Sequence, residues 1–412
     1  MNPIPVDPVA SQQPTASAMS AEGPLAGLRV LDLGQQIAGP FCARQLADQG
    51  ADVIKIERPV HGDPARAMAP FAGDSHPERS LTYLYLNYNK RSITLDLKQP
   101  AGRELLLALA RRADVLIENF EPRVMRSLGL SFETLAAVNP RLIMVSISNF
   151  GQTGPRADWR ANDLIDYAIS GMMSISGTAD REPLKHGYFQ AGYVGGLAAT
   201  VPTMAAVLQQ QFGDVGQHVD VSIAEALTST LVLTVPYYTY MGETQTRRAP
   251  VGDSFANCAP ARDGWVVSHS PRSGEWEDFC EVVGAPELKH PKFSTPRGKI
   301  EHAAELDAIL GAALRQHDRF ELFELANRKK ILFGVVQTPE DLARCPQLDA
   351  RGFYHEIDHP VVGRLRYPGQ AFEGSEAGFR ITRRPPLLGE HTDEVLRELG
   401  CSTQQLTALR EA

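Results

Sequence analysis

Cysteine is scarce and scattered in this 412-residue chain. Cys42, Cys258, Cys280, Cys345 and Cys401 form no C-x-x-C pair and have no histidine at zinc-ligand spacing. That excludes a disulfide scaffold or zinc ribbon and points to reduced thiols in a cytoplasmic protein. Basic residues are also in deficit: 41 Lys and Arg against 49 Asp and Glu leave a net charge of −8. Such a surface does not coat nucleic acid or an anionic membrane, although a local basic pocket is still allowed. Long apolar runs are nearly absent, and mean hydropathy is −0.21. One uncharged stretch, Ala191 to Leu208, approaches the roughly 18 residues of a membrane span. It contains Pro202 and three glycines, Gly192, Gly195 and Gly196, and reads as a buried helix. Residues 1–23 contain no Lys, Arg or apolar core, so they read as a disordered arm rather than a signal peptide.

What is present suits a soluble globular enzyme: 43% hydrophobic and 22% charged residues, with length for two to three domains. LRVLDLG (28–34) is a short apolar run typical of a strand buried on both faces. A turn bounded by Gly34 and Gly39 follows, Pro40 opens a helix, and ADVIKIERP gives a second strand. Strand, turn, helix and strand form a βαβ unit, hence a parallel sheet. The alternation continues with helices over 101–112 and 122–138 and strands in ADVLIENF and RLIMVSISNFG. Beyond these come the DLIDYAISG helix, the apolar helix over 192–211 and a strand-to-helix passage in HVDVSIAEAL. The expected class is α/β, with a large domain built on a parallel sheet and a smaller α+β domain. The expected boundaries are the arm (1–23), the large domain (24–236), the small domain (237–340) and a C-terminal return to the large domain (341–412).

Glu57 follows the first turn at the distance of a ribose-binding carboxylate, but GQQIAGP lacks the second glycine of a dinucleotide fingerprint. Arg58, Lys90 and Arg91 read as a basic group at strand ends that converges on an anion. Asn87 and Asn89 beside Lys90, and Asn119-Phe120 at another strand end, add amides and an aromatic ring. A nucleotide carrying several phosphates uses that mixture.

The strings LRVLDLGQQIAGPFCARQLADQGADVIKIERP, NYNKRSITLDLK, ADVLIENFEP, NPRLIMVSISNFGQTGP and GQHVDVSIAEAL together resemble the class III CoA-transferase family. That family includes formyl-CoA transferase, carnitine CoA-transferase and α-methylacyl-CoA racemase. The likeness extends from Pro24 to PPLLGEHTDEVLRELG. It implies a Rossmann-like large domain beside the small α+β domain, two interlocked subunits, and coenzyme A, as free CoA or acyl-CoA, with no metal. The CoA contacts it implies are Gln36, Ile37, Ala38, Arg58, Leu86, Asn87, Tyr88, Asn89, Lys90, Asn119 and Phe120. Ser127 stands where many members carry an Arg, so Arg123 or Arg126 is expected to substitute, and Asn149 replaces a turn Gly.

The resemblance also implies an Asp nucleophile four residues before a Gly at the entry to the long helix. Gly192 occupies that position in QAGYVGGLAA, and glycine cannot form the acyl-enzyme. Asn162 replaces the racemase His, so racemization is disfavoured as well. Asp163 or Asp166 is the alternative carboxylate. His186, Gly195-Gly196, His218 with Asp220, Asp253 and Asp263 are weaker candidates, with structural roles favoured for the first three sites. The expectation is therefore an enzyme subunit without its own catalytic residue. It most resembles the non-nucleophilic half of a heteromeric succinyl-CoA:(R)-benzylsuccinate CoA-transferase of anaerobic aromatic degradation. A homologous partner would supply the Asp. A homodimeric transferase and a silent acyl-CoA-binding protein are the alternatives.

Overall fold

The computed structural model describes residues 23–247, 258–268, 273–375 and 379–411. The expected arm, save Gly23, and Asp253 lie outside the described residues. The chain divides into two compact units. One holds residues through Ser176, Leu184–Gln245 and residues from Gly352 onward; the other holds Gly177–Pro183 and Thr246–Arg351.

The first unit is built on β1 (Arg29–Asp32), α1 (Ala38–Ala47), β2 (Asp52–Glu57), α2 (Leu81–Asn87) and β3 (Lys90–Thr94). It continues with α3 (Pro100–Ala110), β4 (Val115–Glu118), α4 (Arg123–Ser127), α5 (Phe132–Val138) and β5 (Ile143–Ser148). Then come α6 (Asp163–Ile169), α7 (Gln190–Gly213), β6 (His218–Ser222), α8 (Ile223–Ser229) and α9 (Thr234–Met241). The six strands are all parallel, in the order β3-β2-β1-β4-β5-β6. This is the expected Rossmann-like α/β arrangement. The chain builds outward from β1 to β3, then returns to lay β4 against the other side of β1. The crevice at that reversal, beyond the carboxyl ends of β1 and β4, is where such sheets bind ligands.

Side chains two apart along a strand share a face, and here both faces are apolar. Val30, Val53, Val115, Ile117, Val145 and Ile147 pack beneath α1 and α7. Leu31, Ile54, Ile56, Ile93, Leu116 and Met144 pack against α3 and α5. Covering on both sides explains why these strands read as continuous apolar runs. The helix expected over 122–138 is two, because Gly129 takes a left-handed φ of 70° between α4 and α5. α7 is long and apolar enough to cross a membrane by length and composition alone, and 39% of its apolar window is buried. Ala199, Thr203 and Ala206 face the sheet, while Leu197, Val201, Leu208 and Phe212 are exposed.

The second unit carries the three-stranded antiparallel sheet β7 (Ala259–Pro260), β8 (Trp265–Ser268) and β9 (Phe333–Val335). Trp276, Phe279, Leu306, Leu310 and Leu322 form its own core. After it, β10 (Tyr354–His359) and β11 (Gly363–Pro368) pair as an antiparallel hairpin in the first unit. The helix expected at TDEVLRELG spans Thr392–Glu398 and packs on the β3 side through Val395 and Leu396, and a further helix, Thr403–Glu411, follows it.

Candidate functional site

The β1–α1 turn makes the first wall of the site, and its conformation is dictated by crowding. A Cβ on Gly34 would stand 2.7 Å from Gly39 Cα, so this close approach needs glycine. Gln36 holds a left-handed φ of 58°, and its N–H donates to Asp63 Oδ1 at 2.8 Å. Beneath the turn, Lys55 Nζ is fully buried. It lies 2.8 Å from Asp63 and 3.8 Å from Asp32, and donates to the Gly34 carbonyl. Burial opposes its charge, but the two carboxylates outweigh burial and raise its pKa. Across the crevice, Asn119 closes a reciprocal pair with Gln35. Its Oδ1 accepts from Gln35 N–H at 2.6 Å and its Nδ2 donates to the Gln35 carbonyl at 2.9 Å. The ends of β1 and β4 are thus stitched together at the reversal of strand order.

Over that stitch lies a cavity of about 1010 Å³. Gln35 to Ala38 and Asn119 to Pro122 line it from the β1 and β4 sides, with Ser148 and Asn149 at the end of β5 and Ile223 at the start of α8. Trp159 and Arg160, Asp163 and Asp166 of α6, and Lys185, Tyr188, Phe189 and Gly192 complete the wall. Topology alone unites these segments, which are far apart in sequence.

Gln36, Ile37, Ala38, Asn119 and Phe120 therefore come together as the sequence reading expected. Others do not. Arg58 follows β2 and is exposed, whereas Lys90 and Arg91 open β3; in a parallel sheet those are opposite edges. Their reading as one converging basic group is corrected by this register. Leu86, Asn87, Tyr88, Asn89 and Lys90 are buried and do not line the cavity. Lys90 Nζ donates to Asp32, the Pro40 carbonyl and Asn87 at 2.8, 2.8 and 2.9 Å, spending its three protons inside the protein. Burial lowers its pKa to about 8, against the pull of Asp32. Asn89 binds Asp48 and the backbone of 380–383. Arg91 pairs with Asp52, Glu394 and Glu398. Arg123 pairs with Glu121 on the surface, and Arg126 is exposed; neither lines the cavity. The basic side chains that do are Arg160 and Lys185, which the sequence reading missed because they sit in loops without a motif.

Gly192 lies in the first turn of α7, against Ile37. A Cβ built there would lie 2.9 Å from Ile37 Cβ and 3.0 Å from its Cγ2, closer than side-chain carbons pack. Gly195 and Gly196 similarly admit Ile223 and the Ala38 carbonyl, which is a packing role. Of the carboxylates, Asp163 is engaged: Oδ1 accepts from Ala191 N–H at 2.7 Å, and Lys185 Nζ lies 2.7 Å from Oδ2. Asp166 is different. It is 2% exposed, its Oδ1 lacks a hydrogen-bond partner, and burial, aided by the charge of Asp163, pushes its pKa up to about 7. His186 Nδ1 lies 3.0 Å from Tyr167 Oη. His218 stacks on Phe132 and meets Ser146 Oγ at 2.9 Å, and Asp220 accepts from Gln152 N–H at 3.0 Å. Asp263, in the second unit, accepts from Arg319 N–H at 2.8 Å.

Just below Asn119, buried Glu118 accepts from Phe120 N–H at 2.7 Å. Burial raises its pKa to about 7, against the opposing hydrogen bonds from Ser146 and Phe120. A carboxyl whose pKa rises on folding keeps its proton longer in the native state, so stability falls between about pH 4.5 and 7. Glu118→Gln should remove this loss, gaining up to about 3 kcal/mol at pH 8 relative to pH 4.5. Urea denaturation of both proteins at the two pH values measures it; parallel pH dependences would contradict the assignment.

A nucleotide-sized cavity at a Rossmann-like switch point agrees with the family comparison. The family described as CoA-transferase family III matches residues 25–392. The chain belongs to that family. It is 32% identical over 388 residues to the succinate–glutarate CoA-transferase of Agrobacterium fabrum, covering 91% of this chain and 96% of that one. It is 32% identical over 419 residues to a formyl-CoA:oxalate CoA-transferase of Rhodopseudomonas palustris, covering 94% and 96%. Among solved structures, a CAIB/BAIF family protein from Brucella suis superimposes with a TM-score of 0.84 at 32% identity, covering 92% of this chain and 100% of that one. As a family III chain, this protein is placed among enzymes whose substrates are CoA thioesters.

Proposed function

We propose that this family III chain is one subunit of a heteromeric CoA-transferase that moves CoA from an acyl-CoA to a carboxylic acid. The nucleophilic aspartate comes from a homologous partner. One observation carries the reading: Ile37 packs into the space a side chain at Gly192 would need. The likeness to transferases acting on succinate, glutarate and oxalate supports a dicarboxylic acyl group, with succinyl-CoA as donor. (R)-Benzylsuccinate is the acceptor the sequence resemblance suggests. CoA would lie along Gln36, Ile37 and Ala38, with Asn119 and Phe120 opposite, and Arg160 supplying positive charge. Phosphates prefer such cationic donors because charge-assisted hydrogen bonds are the strong ones.

The exposed apolar stripe of α7, and Tyr237, Tyr238, Tyr240 and Met241 of α9, favour a partner that covers them. A homodimer using Asp163 is less favoured, since that carboxylate is committed to Ala191 and Lys185. Purification of the native complex followed by mass measurement tests the partnership. A 1:1 assembly with a similar-sized homologue is expected, and an active assembly of this chain alone would refute it.

A further inference from the structure

Two cavity-lining carboxyls have a buried oxygen without a hydrogen bond among the described residues, Asp163 Oδ2 and Asp166 Oδ1. Lys185 stands 2.7 Å from the first, whereas Asp166 is buried as a whole and no ion pair reaches it among the described residues. An unmet buried polar atom costs free energy unless a ligand satisfies it. Its surroundings leave few rivals. On its own helix Asp163 stands one turn away and is held by Lys185 from the segment preceding α7. His186 of that segment faces Tyr167. α7 offers only Tyr193 as a titratable group, the Met172–Ile175 turn offers none, and α8 offers only Glu225, which is exposed. No cation in this set is aimed at Asp166 itself. An ionised Asp166 would repel an acid entering the cavity, whereas a protonated one donates to it.

From this geometry we infer that Asp166 is a specificity-determining hydrogen-bond donor that grips the carboxylate of the acid substrate through its own proton. The inference rests on reading the cavity as the acid and acyl-CoA site, and adds how that site tells a carboxylate from a neutral group. The proton stays between two carboxyl oxygens, no covalent bond changes, and the carboxyl near its midpoint at neutral pH supplies the donor. At pH 8, where much of Asp166 is ionised, binding must draw a proton from solvent.

The test is calorimetric titration of succinate into the full chain at pH 8, in two buffers of different ionisation enthalpy. The wild type is expected to take up between half and one proton per succinate bound. Asp166→Asn, which keeps a neutral donor of the same shape without the cost of protonation, should bind up to about tenfold more tightly than the wild type at pH 8 while losing the proton uptake. Asp166→Ala should bind at least about tenfold more weakly than Asp166→Asn, the loss of one hydrogen bond to a charged group. Undiminished proton uptake in Asp166→Asn, or equal affinities of Asp166→Ala and Asp166→Asn, overturns the inference, as does the absence of succinate binding. The readout is protons and affinity in this chain alone. Failure of the heteromeric reading would instead appear as turnover by this chain without a partner.

Discussion

In the heteromer proposed above, replacing the partner's aspartate by alanine should abolish CoA transfer by the intact complex, a fall of at least about 10⁴-fold in kcat. Covalent catalysis divides one hard acyl transfer into easier steps, and it needs a carboxylate at the reacting position. In the reading proposed above that position is Gly192, and no side chain grows there without displacing Ile37. The cavity's acidic groups are otherwise employed: Asp163 caps Ala191 and pairs with Lys185, Glu121 pairs with Arg123 and Arg160, and Asp166 lies buried with a raised pKa. A raised pKa lowers the ionised fraction and makes a poor attacking carboxylate at neutral pH. Steady-state rates of the wild-type and variant complexes check this result, and surviving turnover would show that this chain carries the chemistry itself.

The second large effect concerns the contact between Gly192 and Ile37. Gly192→Asp should cost about 1–3 kcal/mol, because the new Cβ forces Ile37 or the α7 backbone to shift. Ile37→Gly removes a 5%-exposed side chain and should cost about 2–4 kcal/mol through the cavity it leaves. Glycine is tolerated at this position, since Ile37 is the residue that caps α1 and makes no side-chain cap bond. Together the two changes should cost at least about 1 kcal/mol less than their sum, because each relieves the defect of the other. A double-mutant cycle by urea denaturation measures the coupling; strict additivity would mean that Ile37 does not fill the place of a side chain at 192.

How much of this was legible in the sequence follows from what each residue touches. β1, α1 and β2 were readable because a parallel strand covered on both faces is an unbroken apolar run, and because Gly34 and Gly39 must approach closely. The switch-point pair Gln35–Asn119 was half visible: Asn119 marks a strand end, but its partner is a backbone 84 residues away. Lys90 misled for a physical reason. A lysine among asparagines looks like a phosphate site in one dimension, yet its three donors are consumed by Asp32, Pro40 and Asn87. β10 and β11 escaped notice because YHEIDH and GRLRYP are largely polar and lack the two-residue turn that announces a tight hairpin. Arg160, Lys185 and Tyr188 escaped for the opposite reason, since only the return of the chain over the sheet brings such loop residues to the cavity. The spacing of Gly192 to Gly196 is plain in the sequence, but the packing of Ile37, 155 positions earlier, into the space beside Gly192 required the fold.

The most direct measurement is to react the purified native complex with succinyl-CoA, quench it during turnover, and weigh each chain intact. The account predicts an acyl or CoA adduct on the homologous partner and an unmodified mass for this chain. An adduct on this chain, mapped to Asp163 or Asp166, would contradict it.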